Sequence, residues 1–366
     1  MGHRPAQDHG MQGGTARHSL CLTPFRRDDM TLERTSPGTI PPDAAPYVLR
    51  AGEGLAHLVA GQVIRTLAGV EQTAGGFGAV VCDAPLDRGP IPMHWHEREH
   101  DTWFVTRGKL QVWCGDTAHV LAPGDFAYVK PGDTHSYQSV APRTQFFGIV
   151  APGGWEQFFV DAGEVWGMAG LPAADHPFDF SRMGPAMGKH RIMRVENAVF
   201  AEPTPTGADD RALPGTHASY FLEAGFGTRR TLLGHLSTAV LTADESNGFV
   251  DMRVIEGGRD AALPTLRHAT THQFLYVLDG LVAVTIDGSE YTLASGDSAN
   301  IPAGTRYATR ILSGAARWLA ASSGGDGAAM WDVAGTETGA FSFALESDAA
   351  TDLARLGTTG VDVALV

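Results

Sequence analysis

The chemistry of this chain is concentrated between residues 89 and 135. His94 and His96 are separated by one residue, Asp101 follows, and His135 closes the stretch Gly124-Asp125-Phe126-Ala127-Tyr128-Val129-Lys130-Pro131-Gly132-Asp133-Thr134-His135. Residues two apart on a strand face the same way, so the two imidazoles of a His-x-His pair can converge on one point. A turn through Glu97 to His100 can return the Asp101 carboxylate to that point, with Glu99 as the alternative ligand. Three neutral imidazoles and a carboxylate suit Fe, Mn, Co, Ni, Cu or Zn and do not suit Ca or Mg. The expected metal set is therefore His94, His96, Asp101 and His135.

An internal repeat shows what must position these residues. Sliding the chain by 172 positions places Gly76-Phe77 on Gly248-Phe249, Phe104-Val105 on Tyr276-Val277, Gly108 on Gly280, Gly124-Asp125 on Gly296-Asp297 and Gly132 on Gly304. Glycines recurring at one offset mean the same turns at the same places. Short Val, Leu, Phe and Tyr-rich runs broken by 45 glycines and 21 prolines read as strands joined by turns, an all-β class. The runs flanking Arg107-Gly108 and Asp279-Gly280 read as hairpins. The expected organisation is a mobile arm over residues 1–45, a metal-binding barrel over 46–165, a linker over 166–190, with a short helix read within Gly154 to Met187, a second barrel over 191–325 and a C-terminal extension over 326–366 with a capping helix around Asp348 to Leu356. In the second copy the offset carries His94 to Leu266, His96 to His268, Asp101 to Gln273 and His135 to Tyr307, so the ligand set is eroded there. Packing and shaping the first barrel is its expected role.

A net charge of −14 without a Lys/Arg cluster speaks against nucleic acid and anionic membranes. With neither an apolar run long enough to span a bilayer nor a secretory signal, the expected location is cytoplasmic. Cys21, Cys82 and Cys114 read as reduced, buried thiols. His3, His9 and His18 in the arm lack partner carboxylates at ligand spacing, and His100 and His119 read as surface or supporting residues.

The stretches from Gly89 to Gly108 and from Gly124 to His135 resemble the two signature motifs of the cupin superfamily, with Asp101 in place of the usual Glu, Lys130 in place of a Pro, and Gly89 one residue close. The wider pattern, Gly61-Gln62, Glu71-Gln72-Thr73-Ala74-Gly75-Gly76-Phe77, Asp101-Thr102-Trp103 and Pro152-Gly153-Gly154-Trp155-Glu156-Gln157-Phe158-Phe159, resembles the two-cupin quercetin 2,3-dioxygenases over roughly residues 47 to 167. The resemblance implies two tandem cupin barrels (double-stranded β-helix, jelly-roll) with one divalent transition metal (Fe, Mn, Co, Ni or Cu) in the first. It also implies cleavage of a flavonol's heterocyclic ring by O₂ with release of carbon monoxide. Asp101 would then be both ligand and base, and Trp103 and Tyr137 would line the substrate cavity. A free Asp is too weak a base at neutral pH, so this role calls for burial to raise Asp101. Two alternatives stay open: a metal cupin of secondary metabolism acting without O₂, as isomerase, cyclase or hydrolase, and a non-catalytic small-molecule-binding cupin. The partners implied are a small aromatic molecule and O₂, with a homodimer through exposed strands compatible with the fold.

Overall fold

The computed structural model describes residues 1–2, 38–86, 89–168, 170–344 and 348–366. Most of the expected arm, with His3, His9, His18 and Cys21, lies outside them. The first half contributes β1 (Tyr47–Leu49), β2 (Leu55–Val59), β3 (Gln62–Ala68), β4 (Gly78–Ala84), β5 (His94–Trp95), β6 (His100–Arg107), β7 (Leu110–Cys114), β8 (Thr117–Leu121), β9 (Phe126–Val129), β10 (His135–Ser139) and β11 (Thr144–Ala151). One sheet of the first barrel runs β2-β3-β4-β11-β6-β9 and the facing sheet β5-β10-β7-β8.

The two runs read as a hairpin therefore belong to opposite sheets. β6 pairs with β9 and β11, whereas β7 pairs with β8 and β10. Gly108 is the corner between them: it has φ +73°, and a Cβ there would lie 2.6 Å from the Cα of Thr144. Gly280 makes the same corner in the second barrel, where a Cβ would meet the Ala315 carbonyl at 2.3 Å. A Gly-centred turn between two apolar runs looks alike in sequence whether the chain doubles back or crosses to the other sheet; close backbone approach is what demands Gly here.

The repeat survives in the hydrogen-bond register. Asp101 lies opposite Val129 and Val150, and Gln273 lies opposite Ile301 and Ser322, each partner one offset away. The barrels also exchange strands. β1 pairs with Ser298–Ile301 of the second barrel, and Tyr220–Leu222 pairs with β9 of the first. The repeated Gly-Asp turns clamp these visitors, because Asp297 accepts the Ala51 amide at 2.8 Å and Asp125 accepts the Ala224 amide at 2.8 Å. Between the barrels an apolar core stacks Phe147 on Tyr276 at 5.1 Å and on Phe274 at 6.1 Å.

Two helices, α1 (Gln157–Ala162) and α2 (Met183–Lys189), pack together beside the first barrel, and Glu164–Val165 and Met193–Arg194 add to the edges of its two sheets. The expected capping helix is Ala349–Leu356, whose N-cap Asp348 accepts the Thr351 amide at 3.1 Å. Among the described residues no helix is long and apolar enough to cross a membrane.

Candidate metal centre and its cavity

Cross-strand pairing places the first two donors: His135 on β10 lies directly opposite His94 on β5. His96 follows on the same face one step beyond β5, and the three rings sit at centroid separations of 5.0, 4.3 and 5.1 Å. Their ligand atoms all lie within 4.8 Å of one another. The Nδ1 of His94 lies 2.8 Å from the Pro92 carbonyl and that of His135 3.1 Å from the Asp133 carbonyl. A carbonyl only accepts, so both Nδ1 atoms donate, which leaves the Nε2 of each ring as the atom available to the shared point. Asp101 on β6 brings Oδ2 to 3.2 Å from the Nε2 of His96 and 3.0 Å from that of His135. Beyond this one carboxylate oxygen, the two buried Nε2 atoms have no partner among the described residues.

Burial, reinforced by the neighbouring imidazoles of His135 and His96, holds His94 well below the ordinary histidine range. A neutral imidazole is the form that ligates metal. Burial alone would raise Asp101, but the charge of His96 and the hydrogen bonds from His135 and His96 outweigh it and hold the carboxyl below its ordinary range. The expectation that burial raises Asp101 is thus overturned: two imidazoles within about 3 Å dominate desolvation. Buried, orphaned imidazole nitrogens facing one ionised oxygen fit a divalent transition ion. Neither Asp101 nor Glu99, the alternative ligand, belongs to the close group of three histidines, and it is Asp101 whose Oδ2 is found within 3.2 Å of two of them.

The donors open onto a cavity of about 290 Å³ in the first barrel. Val59, Ile64, Val80, Trp103, Phe146 and Trp155 wall it, and Met183, Met187 and Ile192 from the connecting segment add to its lining. The Trp103 ring stands 5.6 Å from that of His135 and 6.1 Å from that of Tyr137.

Comparison with known proteins agrees with this geometry. The Cupin domain model matches twice, at residues 81–144 and 252–322. The chain is a bicupin. It is 26% identical over 274 residues to quercetin 2,3-dioxygenase of Bacillus subtilis (strain 168), covering 75% of this chain and 81% of the relative. It is 24% identical over 323 residues to quercetin 2,3-dioxygenase of Aspergillus japonicus, covering 78% and 91%. Among solved structures, procruciferin, an 11S globulin from Brassica napus, superposes with a TM-score of 0.52 at 13% identity over 77% of this chain and 85% of that one. The protein Ylba from E. coli does so with 0.51 at 10% identity over 82% and 97%.

In the bicupin's second barrel the equivalent pole is closed. Leu266 is buried, the His268 Nδ1–H donates to the Asp362 carbonyl, and its Nε2 accepts from the Tyr307 hydroxyl at 2.9 Å. Gln273 takes a 2.8 Å hydrogen bond from Ser322. Trp318 and Trp331 stand one offset from Phe146 and Phe159 and are buried in its core. Of the other residues singled out in the sequence, His100 points away from the metal donors and its Nδ1 meets the Tyr128 hydroxyl at 2.6 Å. His119 faces Asp210 at 3.8 Å near the surface. Trp95 is half-buried and outside the cavity lining. Cys82 and Cys114 are free thiols. Sequence reasoning missed Trp155 as a neighbour of the donors, although its ring sits 4.9 Å from that of His96. It also missed Gln62 and Cys82 as cavity residues: Gly61-Gln62 entered only as part of the wider resemblance, and Cys82 belongs to no local pattern.

Proposed function

We propose that this bicupin is a metal-dependent dioxygenase that opens the heterocyclic ring of a flavonol such as quercetin with O₂ and releases carbon monoxide. The observation that carries the reading is the meeting of three imidazole donors with the Asp101 carboxylate at the wall of an apolar cavity of about 290 Å³. Similarity to two quercetin 2,3-dioxygenases over three quarters of the chain supports it. His94, His96, His135 and Asp101 would hold one divalent transition ion (Fe, Mn, Co, Ni or Cu). When bound, that ion supplies Lewis-acid polarisation of a phenolic oxygen. Asp101, ionised and aimed at the same point, accepts the proton of the flavonol 3-hydroxyl. Trp103, Phe146 and Trp155 exclude water around the electron-rich ring that results, and Tyr137 helps to hold it.

The test is anaerobic binding of quercetin to metal-loaded protein followed by admission of air. Bleaching of the flavonol with release of carbon monoxide is the expected outcome; tight binding without turnover would refute the dioxygenase reading. A second reading, a metal cupin of secondary metabolism acting without O₂, draws on one feature: a carboxyl held below its ordinary range is a better ligand than base. Under it, Asp101→Asn removes metal without a separate effect on turnover per metal.

A further inference from the structure

The cavity has a second polar pole that metal binding does not use. Gln62 opens β3 directly after the Ala60-Gly61 turn, and its side chain is almost wholly buried. Its Oε1 accepts the Tyr137 hydroxyl at 2.9 Å and the Cys82 thiol at 3.1 Å. Those two bonds occupy both lone pairs of the amide oxygen. Both of the side chain's hydrogen bonds among the described residues are made by the oxygen, and Gln62 lines the cavity, so its amide N–H groups remain for a molecule held there. An unmet N–H donor in an apolar chamber costs free energy unless something that enters the chamber accepts from it.

The cluster is also placed to be felt. Tyr137 is two residues beyond His135 on β10 and shares its face, with the Trp103 ring between the two. A molecule reaching from the metal donors past Trp103 therefore arrives at Gln62. Nor does the fold itself demand the cluster. The second barrel repeats the turn as Leu233-Gly234 with the same β2–β3 register, and puts His235 where Gln62 stands. Thr309 stands one offset from Tyr137, and neither the His235 Nε2 nor the Thr309 hydroxyl has a partner among the described residues.

We propose that Gln62, oriented by Tyr137 and Cys82, is a specificity-determining residue that donates an N–H to an oxygen substituent on the substrate ring remote from the metal donors. The cavity is thereby matched to aromatic substrates bearing oxygen at both ends. This rests on the metal pole being the reactive end, as in the function proposed above, but it does not require a flavonol.

The test is equilibrium binding under nitrogen to the metal-loaded full chain, with two matched pairs: 3-hydroxyflavone against 3,4′-dihydroxyflavone, and 4-phenylphenol against 4,4′-dihydroxybiphenyl. The remote hydroxyl should tighten binding to the wild type about tenfold. Gln62→Leu and Gln62→Met, which keep the bulk and are checked by thermal unfolding, should bring both ratios to within about twofold of one. Preference in the biphenyl pair alone, with flavones unbound, would sustain the Gln62 assignment and remove the flavonol. Flavone binding without preference in the wild type, or a preference that survives in a folded Gln62 variant, would overturn the assignment and leave the flavonol reading standing. Failure of both pairs to bind would overturn both.

Discussion

The two barrels share corners, strand registers and even the turn before the third strand, yet among the described residues the group of three histidines that could hold a metal lies in the first, at a cavity. The difference resides in a handful of side chains. Leu266 and Tyr307 replace imidazoles, Tyr307 then satisfies the one ligand position that persists, His268, and Trp318 and Trp331 fill space that Phe146 and Phe159 leave open. Backbone geometry fixes where a site can be; whether one exists depends on whether inward positions carry donors or bulk.

The contrast can be broken most severely at a donor. His96→Ala should lower metal affinity by more than about a hundredfold, since even supporting residues cost 10–100-fold, while His268→Ala should leave metal content unchanged; metal analysis after dialysis distinguishes the two. The second barrel should reveal itself instead in pH-dependent stability. Burial lowers His235 from 6.5 to about 4. Between those values the unfolded chain holds a proton that the folded chain lacks, so stability is full above 6.5 and falls as the pH drops. The loss approaches about 3 kcal/mol. Urea unfolding at several pH values should show this slope, and His235→Gln, the residue at the matching position of the first barrel, should reduce it, leaving the part that buried histidines such as His94 contribute.

Importing bulk in the other direction sharpens the point about space. Phe146→Trp should raise KM for the aromatic substrate about tenfold with metal content unchanged, because the added ring intrudes on the cavity. The smallest effect is expected for Tyr307→Phe, which strands the buried His268 Nε2 and should destabilise the protein by about 1 kcal/mol without altering metal binding, as read by denaturant midpoint.

Much of this was legible in the residues. The donors stood at strand spacing, and the ungapped repeat revealed two copies because turns leave glycines at fixed places. The capping helix announced itself through Asp348. The hairpins were misread because an Arg-Gly or Asp-Gly turn does not disclose which sheet receives the next strand; that is decided by a contact with Thr144, dozens of residues away. The electrostatics of Asp101 were less legible: the sequence brings imidazoles to it but does not disclose the 3.0 and 3.2 Å separations that let them outweigh burial. Gln62, Cys82 and Tyr137 come from three separate strands, and only folding brings them together.

The exchange of β1 for Tyr220–Leu222 has a consequence for how this chain can be divided. Cutting in the connecting segment would yield two fragments, each lacking the strand that completes its own sheet and each displaying an unpaired edge. The second barrel is therefore not a dispensable passenger: it supplies Tyr220 against Tyr128 and receives Tyr47 against Asn300, so each half completes a sheet of the other. Loss of ligands from one half leaves that mutual dependence intact, which is reason enough for a barrel to outlive its own chemistry.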